Sequence, residues 1–317
     1  MNNKNLVSVV IISYNSEKYI LDVLESVKWQ TYKNLELIIS DDGSTDKTVL
    51  LADGWLNENK SLFKMCKLVA NNKNTGITAN CNRGLKSANG QYVKLIAADD
   101  LLLENCIEDL LQFCLNNELE FCFSRVLPFS ENEETDYIKT KIKDDRFNYD
   151  YFFNKKRDEQ YKALLRLTTP FSIIVGGFYS INLLKRVGFY NEEYEMMEDY
   201  PFILMLSRLG YRFELLDVYT CKYRVREPEC LIDYKTSKRY NLHYMNLRSF
   251  RKKVVIKEMI GQRMYFSAIY MVFLLWLLSI EYKQDSKFLM FIFTVGRRLK
   301  QFIMAKGVAG LRSEEKK

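Results

Sequence analysis

Carboxylates are the groups best supplied for chemistry in this chain of 317 residues. It contains one histidine, His243, so zinc sites built on several imidazoles and Ser/His or Cys/His arrangements have little to draw on. Acids, by contrast, fall in adjacent pairs at Asp41 and Asp42 and at Asp99 and Asp100. Two neighbouring carboxylates repel unless a cation lies beside them, so burying such a pair at a pocket rim calls for a metal or a buried base. A hard divalent ion, Mg²⁺ or Mn²⁺, fits best. It takes oxygen ligands from one or two carboxylates and also binds the phosphate oxygens of a substrate. Asp99 and Asp100 are the candidates for that role, against the plainer reading of an exposed acidic turn. Asp144 and Asp145 follow no strand pattern and receive no role.

The elements that must position these residues alternate in period. Val7 to Ser13 (VSVVIIS) is continuously apolar and β-branched, as expected of a strand buried on both faces of a parallel sheet. Ile20, Val23, Leu24 and Val27 then recur three and four apart, which predicts a helix. Further strands are expected at Leu35 to Ser40, Lys67 to Ala70 and Tyr92 to Ala97, with helices between them. Such βαβαβ alternation predicts an α/β fold with a mostly parallel central sheet flanked by helices. Ligands of such sheets collect beyond the strands' carboxyl ends. There the chain places Tyr14 and Asn15, then Asp41 and Asp42, then Asp99 and Asp100. Farther on, Phe121 to Leu127 reads as a strand and the polar stretch Ser130 to Asp145 as a mobile surface loop. Phe171 to Ser180 reads as a strand interrupted by Gly176 and Gly177, and Glu198 to Leu209 as a helix that Gly210 ends.

Charge divides the chain. Eighteen Lys and Arg face six Asp and Glu between Leu231 and Lys317, which leaves the first 230 residues at −5 within a net charge of +7. The expected organisation is a catalytic domain over 1–230 and a basic, apolar helical extension over 231–317. The aromatic and aliphatic content of that extension favours an anionic membrane surface over nucleic acid. Met264 to Ile280 has 17 residues without a charge, short for a bilayer that needs about 20. With the second apolar run, Phe288 to Val295, it suggests a helical hairpin lying on the membrane or packed on the domain. The seven cysteines are scattered, with no C-x-x-C pair, and read as reduced, mostly buried thiols. The N-terminus has no basic head followed by an apolar run and cleavage site, so the chain is expected in the cytosol.

The segments VSVVIISYNSEKYI, QTYKNLELIISDDGSTDKT, NTGITANCNRGLKSANGQYVKLIAADD and MEDYPFILML, in that order, resemble family 2 of the glycosyltransferases, with the GT-A fold, over about residues 6 to 225. The resemblance implies that Tyr14 stacks on a nucleotide base, with Asn15 beside it. It implies that Asp42 contacts base or ribose with Asp41 in support. Asp99 would then lie near the ribose and Asp100 on the metal. Glu198 and Asp199 would match the acidic pair whose aspartate deprotonates the acceptor hydroxyl, and Gly176 and Gly177 the element lining the sugar pocket. The alternative for Glu198 and Asp199 is a pair of acids in a helix's first turn, where the helix dipole favours charge by about 0.3 to 1 kcal/mol. The implied activity is a metal-dependent, inverting transfer of one sugar from a nucleotide-diphosphate donor to a glycan or lipid-linked acceptor. Its setting would be capsule, lipopolysaccharide or other surface-polysaccharide synthesis at the cytoplasmic face of the membrane.

Two departures stand out. Cys81 occupies the place where the family often has arginine, with Arg83 two positions on as a substitute for the base contact. The Q-x-x-R-W element of processive synthases is missing, with Tyr223, Arg224 and Arg226 nearest to it. Two other readings compete. A sugar nucleotidyltransferase would need a glycine-rich phosphate loop where SYNSEKY stands. An inactive nucleotide-sugar-binding membrane scaffold would bind the donor without transfer. His243, Trp276 and Arg251 to Lys253 are read as packing or solvated surface.

Overall fold

A computed structural model describes residues 5–131, 136–166, 175–225 and 238–281. The expected alternation opens the chain as β1 (Val7–Ser13), α1 (Ile20–Lys28), β2 (Leu35–Asp41), α2 (Thr48–Asn59), β3 (Met65–Ala70), α3 (Ile77–Lys86) and β4 (Tyr92–Ala97). All seven residues of β1 and all seven of β2 are buried, which is why their sequences show no alternation of polar and apolar positions. β1 pairs in parallel with β2 on one side and β4 on the other, while β3 extends the parallel set beyond β2. Ile20, Val23, Leu24 and Val27 are the buried face of α1, and they join the apolar side chains of β1 and β2 in one core.

The second half completes the sheet with β5 (Leu101–Leu102), α4 (Cys106–Asn116), β6 (Phe121–Phe129), α5 (Asp136–Phe153), α6 (Arg157–Leu165), β7 (Gly177–Ser180), α7 (Ile181–Val187), α8 (Asp199–Arg208) and β8 (Leu215–Arg224). Strand order is β3-β2-β1-β4-β7-β6-β8-β5. β7 runs antiparallel to β4 and β6, β6 and β8 are parallel, and β5 caps the edge antiparallel to β8. The described part of the segment expected as a strand over 171–180 is thus the short β7, running against its neighbours. Residues 171–174 lie outside the described residues.

The expected loop over Ser130 to Asp145 is corrected: α5 begins at Asp136 and carries Asp144 and Asp145 within it. Ile138, Tyr149, Phe152 and Phe153 are buried on this helix. Its charged positions dilute the apolar stripe enough to mask a helical period.

Two compact units emerge, Met1–Phe250 and Arg251–Lys317. The helix α9 (Lys238–Phe250), expected with the basic extension, therefore belongs to the first unit. Within the second unit a π-helical turn, Arg251–Val255, leads into α10 (Ile256–Gly261) and α11 (Tyr265–Glu281). The run 288–295 and the arginines after it lie outside the described residues. No helix among the described residues is long and apolar enough to cross a membrane. The six described cysteines are free thiols, and all but Cys66 are buried.

Candidate active site

The ends of β1, β2 and β4 open on one rim, and their trailing residues line a single cavity of about 460 Å³. Tyr14 and Asn15 come from β1, Asp42 from β2, Asp99 and Asp100 from β4, and Glu198 and Asp199 from the start of α8. Of the residues singled out in the sequence, these seven meet in space, joined by Cys81 and Tyr223. Asp41, Arg83, Gly176 and Gly177 do not line the cavity.

Asn15 sits in the left-handed region at φ 48°, a conformation asparagine tolerates better than most residues. That turn lets its backbone N–H donate to Ser44 Oγ at 2.8 Å and its side-chain carbonyl accept from the Thr45 N–H at 2.9 Å. The loops after β1 and β2 are joined in this way. Asp41 is fully buried and stays within the loop, accepting from the Ser44 N–H, Ser44 Oγ and Ser13 Oγ at 2.6 to 2.8 Å.

Asp42 holds a different loop. One oxygen accepts from the Thr75 and Gly76 N–H groups at 2.9 and 2.8 Å; the other accepts from Thr75 Oγ1 at 2.6 Å and Arg83 Nη2 at 3.2 Å. A carboxylate offers about four acceptor positions, so this one is saturated. It shapes its end of the cavity by fixing the 75–76 loop rather than by presenting a free oxygen. Arg83 also donates to Asn80 Oδ1 and Thr75 Oγ1, which turns it behind the cavity wall. Cys81 does line the wall. Burial, and after it the charges of Glu198 and Asp199, push its thiol well above the usual range, so it is neutral.

Asp99 and Asp100 are presented by a turn that Arg224 clamps. The Arg224 backbone N–H donates to Asp100 Oδ1 at 2.9 Å and its Nε donates to the Asp99 carbonyl at 2.9 Å. Its guanidinium lies 4.3 Å from the Tyr19 ring centre and 4.6 Å from that of Phe129, a placement that favours a cation. Burial first, then the charge of Asp99, raises the Asp100 carboxyl well above the ordinary carboxylate range. Two adjacent hard oxygen donors, one of them raised by its neighbour's charge, are a fitting seat for Mg²⁺ or Mn²⁺, which takes one or two carboxylates and shares the rest of its shell with water and phosphate. Among the described residues, no group of three or more His, Cys, Asp and Glu side chains stands close enough to hold a metal alone.

Glu198 and Asp199 open α8 without a side-chain cap hydrogen bond. Burial raises both carboxyls, and the charge of Glu198 raises Asp199 further. A helix N-terminus should favour their ionised forms by up to about 1 kcal/mol, so desolvation outweighs the dipole here. Glu198 accepts a long hydrogen bond from Thr78 Oγ1 at 3.5 Å.

The glycines serve packing. A Cβ on Gly176 would lie 2.3 Å from the Ser124 carbonyl oxygen, and one on Gly177 would lie 2.4 Å from the Tyr179 hydroxyl. Their neighbour Val175 is the residue that reaches the cavity. Lys94, fully buried in β4, donates to the Val175 and Gly177 carbonyls. Sequence reasoning missed Arg224 as a clamp, Glu195 and Met196 as cavity wall, and Leu242 from α9. None has a local signature, because each depends on partners far away in the chain.

The sequence profile of glycosyl transferase family 2 matches residues 8–188. A Haemophilus influenzae protein named as an uncharacterized glycosyltransferase is 29% identical over 217 residues, 66% of this chain and 62% of its own length. Glycosyltransferase GlyG of Streptococcus pneumoniae is 36% identical over 106 residues, 33% of this chain and 34% of its own. The matches therefore span less than two thirds of either relative. Among solved structures, Staphylococcus aureus TarS 1–349 in complex with UDP-GlcNAc aligns with TM-score 0.56 at 20% identity, covering 80% of this chain and 66% of that one. Mannosyltransferase PcManGT from Pyrobaculum calidifontis, in complex with GDP-Man and Mn²⁺, aligns with TM-score 0.50 at 16% identity over 92% of this chain and 79% of that one. The fold is the GT-A α/β fold of these proteins.

Proposed function

This chain belongs to glycosyl transferase family 2, and from that premise we propose that it is a glycosyltransferase that moves one sugar from a nucleoside-diphosphate donor to a hydroxyl of a glycan or lipid-linked acceptor, with inversion. The observation that carries the reading is the meeting of Tyr14, Asp99, Asp100, Glu198 and Asp199 around one cavity. The Tyr14 ring provides a stacking face for the base. Asp42, through Thr75 and Gly76, keeps the walls at that end in place. Asp100, with Asp99 beside it, would hold Mg²⁺ or Mn²⁺, and the ion, when bound, would stabilise the charge gathering on the departing diphosphate.

Asp199 is the base. The acceptor oxygen bonds to the anomeric carbon as the bond from that carbon to the diphosphate breaks, and the hydroxyl proton passes to the Asp199 carboxylate. Attack from the face opposite the leaving group inverts the centre. Glu198 beside it sustains the raised basicity of Asp199.

The acceptor assignment rests on the second unit. α11 exposes Phe266, Ile269, Phe273 and Trp276 three and four residues apart, and Lys252, Lys253, Lys257 and Arg263 are exposed in the same unit. An apolar stripe with basic neighbours suits an anionic membrane surface, where lipid-linked precursors of capsule or lipopolysaccharide would be met.

Hydrolysis and transfer assays over a panel of nucleotide sugars with Mn²⁺ test the reading. The wild type should turn over one donor, and Asp100→Ala and Asp199→Asn should lose that turnover. Unchanged rates in both variants would refute the assignment.

A further inference from the structure

His243, the single histidine of the chain, stands on α9, beyond the residues matched by the family profile. α9 is not a bystander to the cavity. Leu242 lines it, His243 Nδ1 lies 2.6 Å from the Met196 carbonyl oxygen, and Asn246 Nδ2 donates to the Glu195 carbonyl at 2.8 Å. Phe250, one end of the same helix, packs edge-on against Tyr194 and Tyr200, with ring centres 4.9 and 5.3 Å apart. α9 therefore grips the segment 194–200 on both sides of Glu198 and Asp199.

That segment needs holding. Met196 has φ 63°, a left-handed conformation that costs a residue with a Cβ roughly 1–2 kcal/mol. The unusual backbone is what turns the Met196 carbonyl toward His243 while Glu195 and Met196 face the cavity. A carbonyl oxygen only accepts, so the imidazole must carry its proton on Nδ1. This is the minor tautomer of a free neutral histidine, and here the partner selects it.

We propose that His243 is a positioning residue: its Nδ1–H fixes the Met196 carbonyl and thereby the turn that presents Glu198 and Asp199 to the acceptor. The inference rests on the reading of Asp199 as base. When protonated, His243 also acts on Glu198, drawing that carboxyl down against the larger effect of burial. The donor end of the cavity is built from the ends of β1, β2 and β4, and of the residues α9 holds by hydrogen bonds only Glu195, against Gly76, reaches it. A loss at His243 should thus fall on turnover and not on nucleotide binding.

Two readouts test this. An asparagine amide can take the place of Nδ1, whereas a glutamine amide reaches the Nε2 position. His243→Asn should keep kcat within about threefold of the wild type, while His243→Gln and His243→Ala should lose tenfold or more. Affinity for the nucleoside diphosphate with Mn²⁺, measured by calorimetry, should be unchanged in all three. Equal rates for Asn and Gln, an undiminished Ala variant, or affinity falling in step with kcat would overturn the proposal. The second readout needs no turnover. In protein labelled with ¹⁵N-histidine, the one imidazole should show the Nδ1–H tautomer in its neutral form. An Nε2–H tautomer would overturn the contact itself. Absence of transfer by the wild type with every donor would instead count against the base assignment and leave the nitrogen spectrum to decide the contact.

Discussion

As the proposed base, Asp199 would act from a setting that disfavours its charge. Burial and the neighbouring Glu198 hold its carboxyl well above the ordinary carboxylate range, so the acid limb of kcat/KM should lie above the pH at which a free aspartate titrates, with apparent values belonging to the pair. Glu198→Gln removes the repelling charge and should move the limb to lower pH. Asp199→Asn should lower kcat by about 10²–10⁴-fold, the usual contribution of a positioned base. Stability follows the opposite logic. A carboxyl whose folded value is raised favours the folded state at low pH, and that contribution is lost as pH rises through the folded value. Asp199→Asn should therefore raise Tm at neutral pH, with the gain vanishing in acid; a lower Tm at neutral pH would contradict the burial argument. Tyr14, Asp42, Asp99 and Asp100 were readable in the sequence because strands of a parallel sheet deliver their trailing residues to one rim. Arg224 and His243 were not, because their roles lie in a peptide carbonyl and two aromatic rings brought from elsewhere in the chain.

At the scale of elements, the tight join between β6 and β7 sets where Val175 meets the cavity. Gly176 abuts the Ser124 carbonyl, a backbone atom of β6 that cannot swing away. Gly176→Ala should destabilise the protein by about 1–3 kcal/mol, the usual cost of overpacking. Gly54 is the contrasting case, inside α2 with open space where a Cβ would stand. Gly54→Ala should stabilise by about 0.5–1 kcal/mol. Thermal or urea unfolding of the two variants should give shifts of opposite sign, and the same sign in both would refute this account of the glycines. Regular elements were legible where burial was complete, as in β1 and β2. α5 was not: in the sequence Lys139, Lys143, Asp144 and Asp145 stand between its buried Ile138 and its buried Tyr149, Phe152 and Phe153. The direction of β7 was also hidden, since an apolar strand has the same composition whichever way it runs.

At the scale of the whole molecule, charge and apolar surface separate along the chain. The first 230 residues are acidic and the remainder strongly basic. Phe266 is 92% exposed and Trp276 56% exposed on α11, an arrangement costly in water unless another surface receives it. Burying one such aromatic contributes roughly 1.5–3 kcal/mol, and each lysine near an anionic leaflet about 1 kcal/mol. The full chain should therefore float with vesicles rich in anionic lipid more than with neutral ones. Phe266→Ser should weaken that binding about tenfold or more at any salt concentration. Replacing Lys252, Lys253 and Lys257 by glutamine should weaken it by a similar or larger factor at low salt and by little at high salt, where screening has already removed their contribution. Transfer to a soluble acceptor analogue should be the same in all these variants, because none of the substituted residues lines the cavity. Equal flotation of wild type and Phe266→Ser would separate the exposed stripe from membranes, and a Phe266-dependent doubling of mass in solution would assign it to a second copy of the chain.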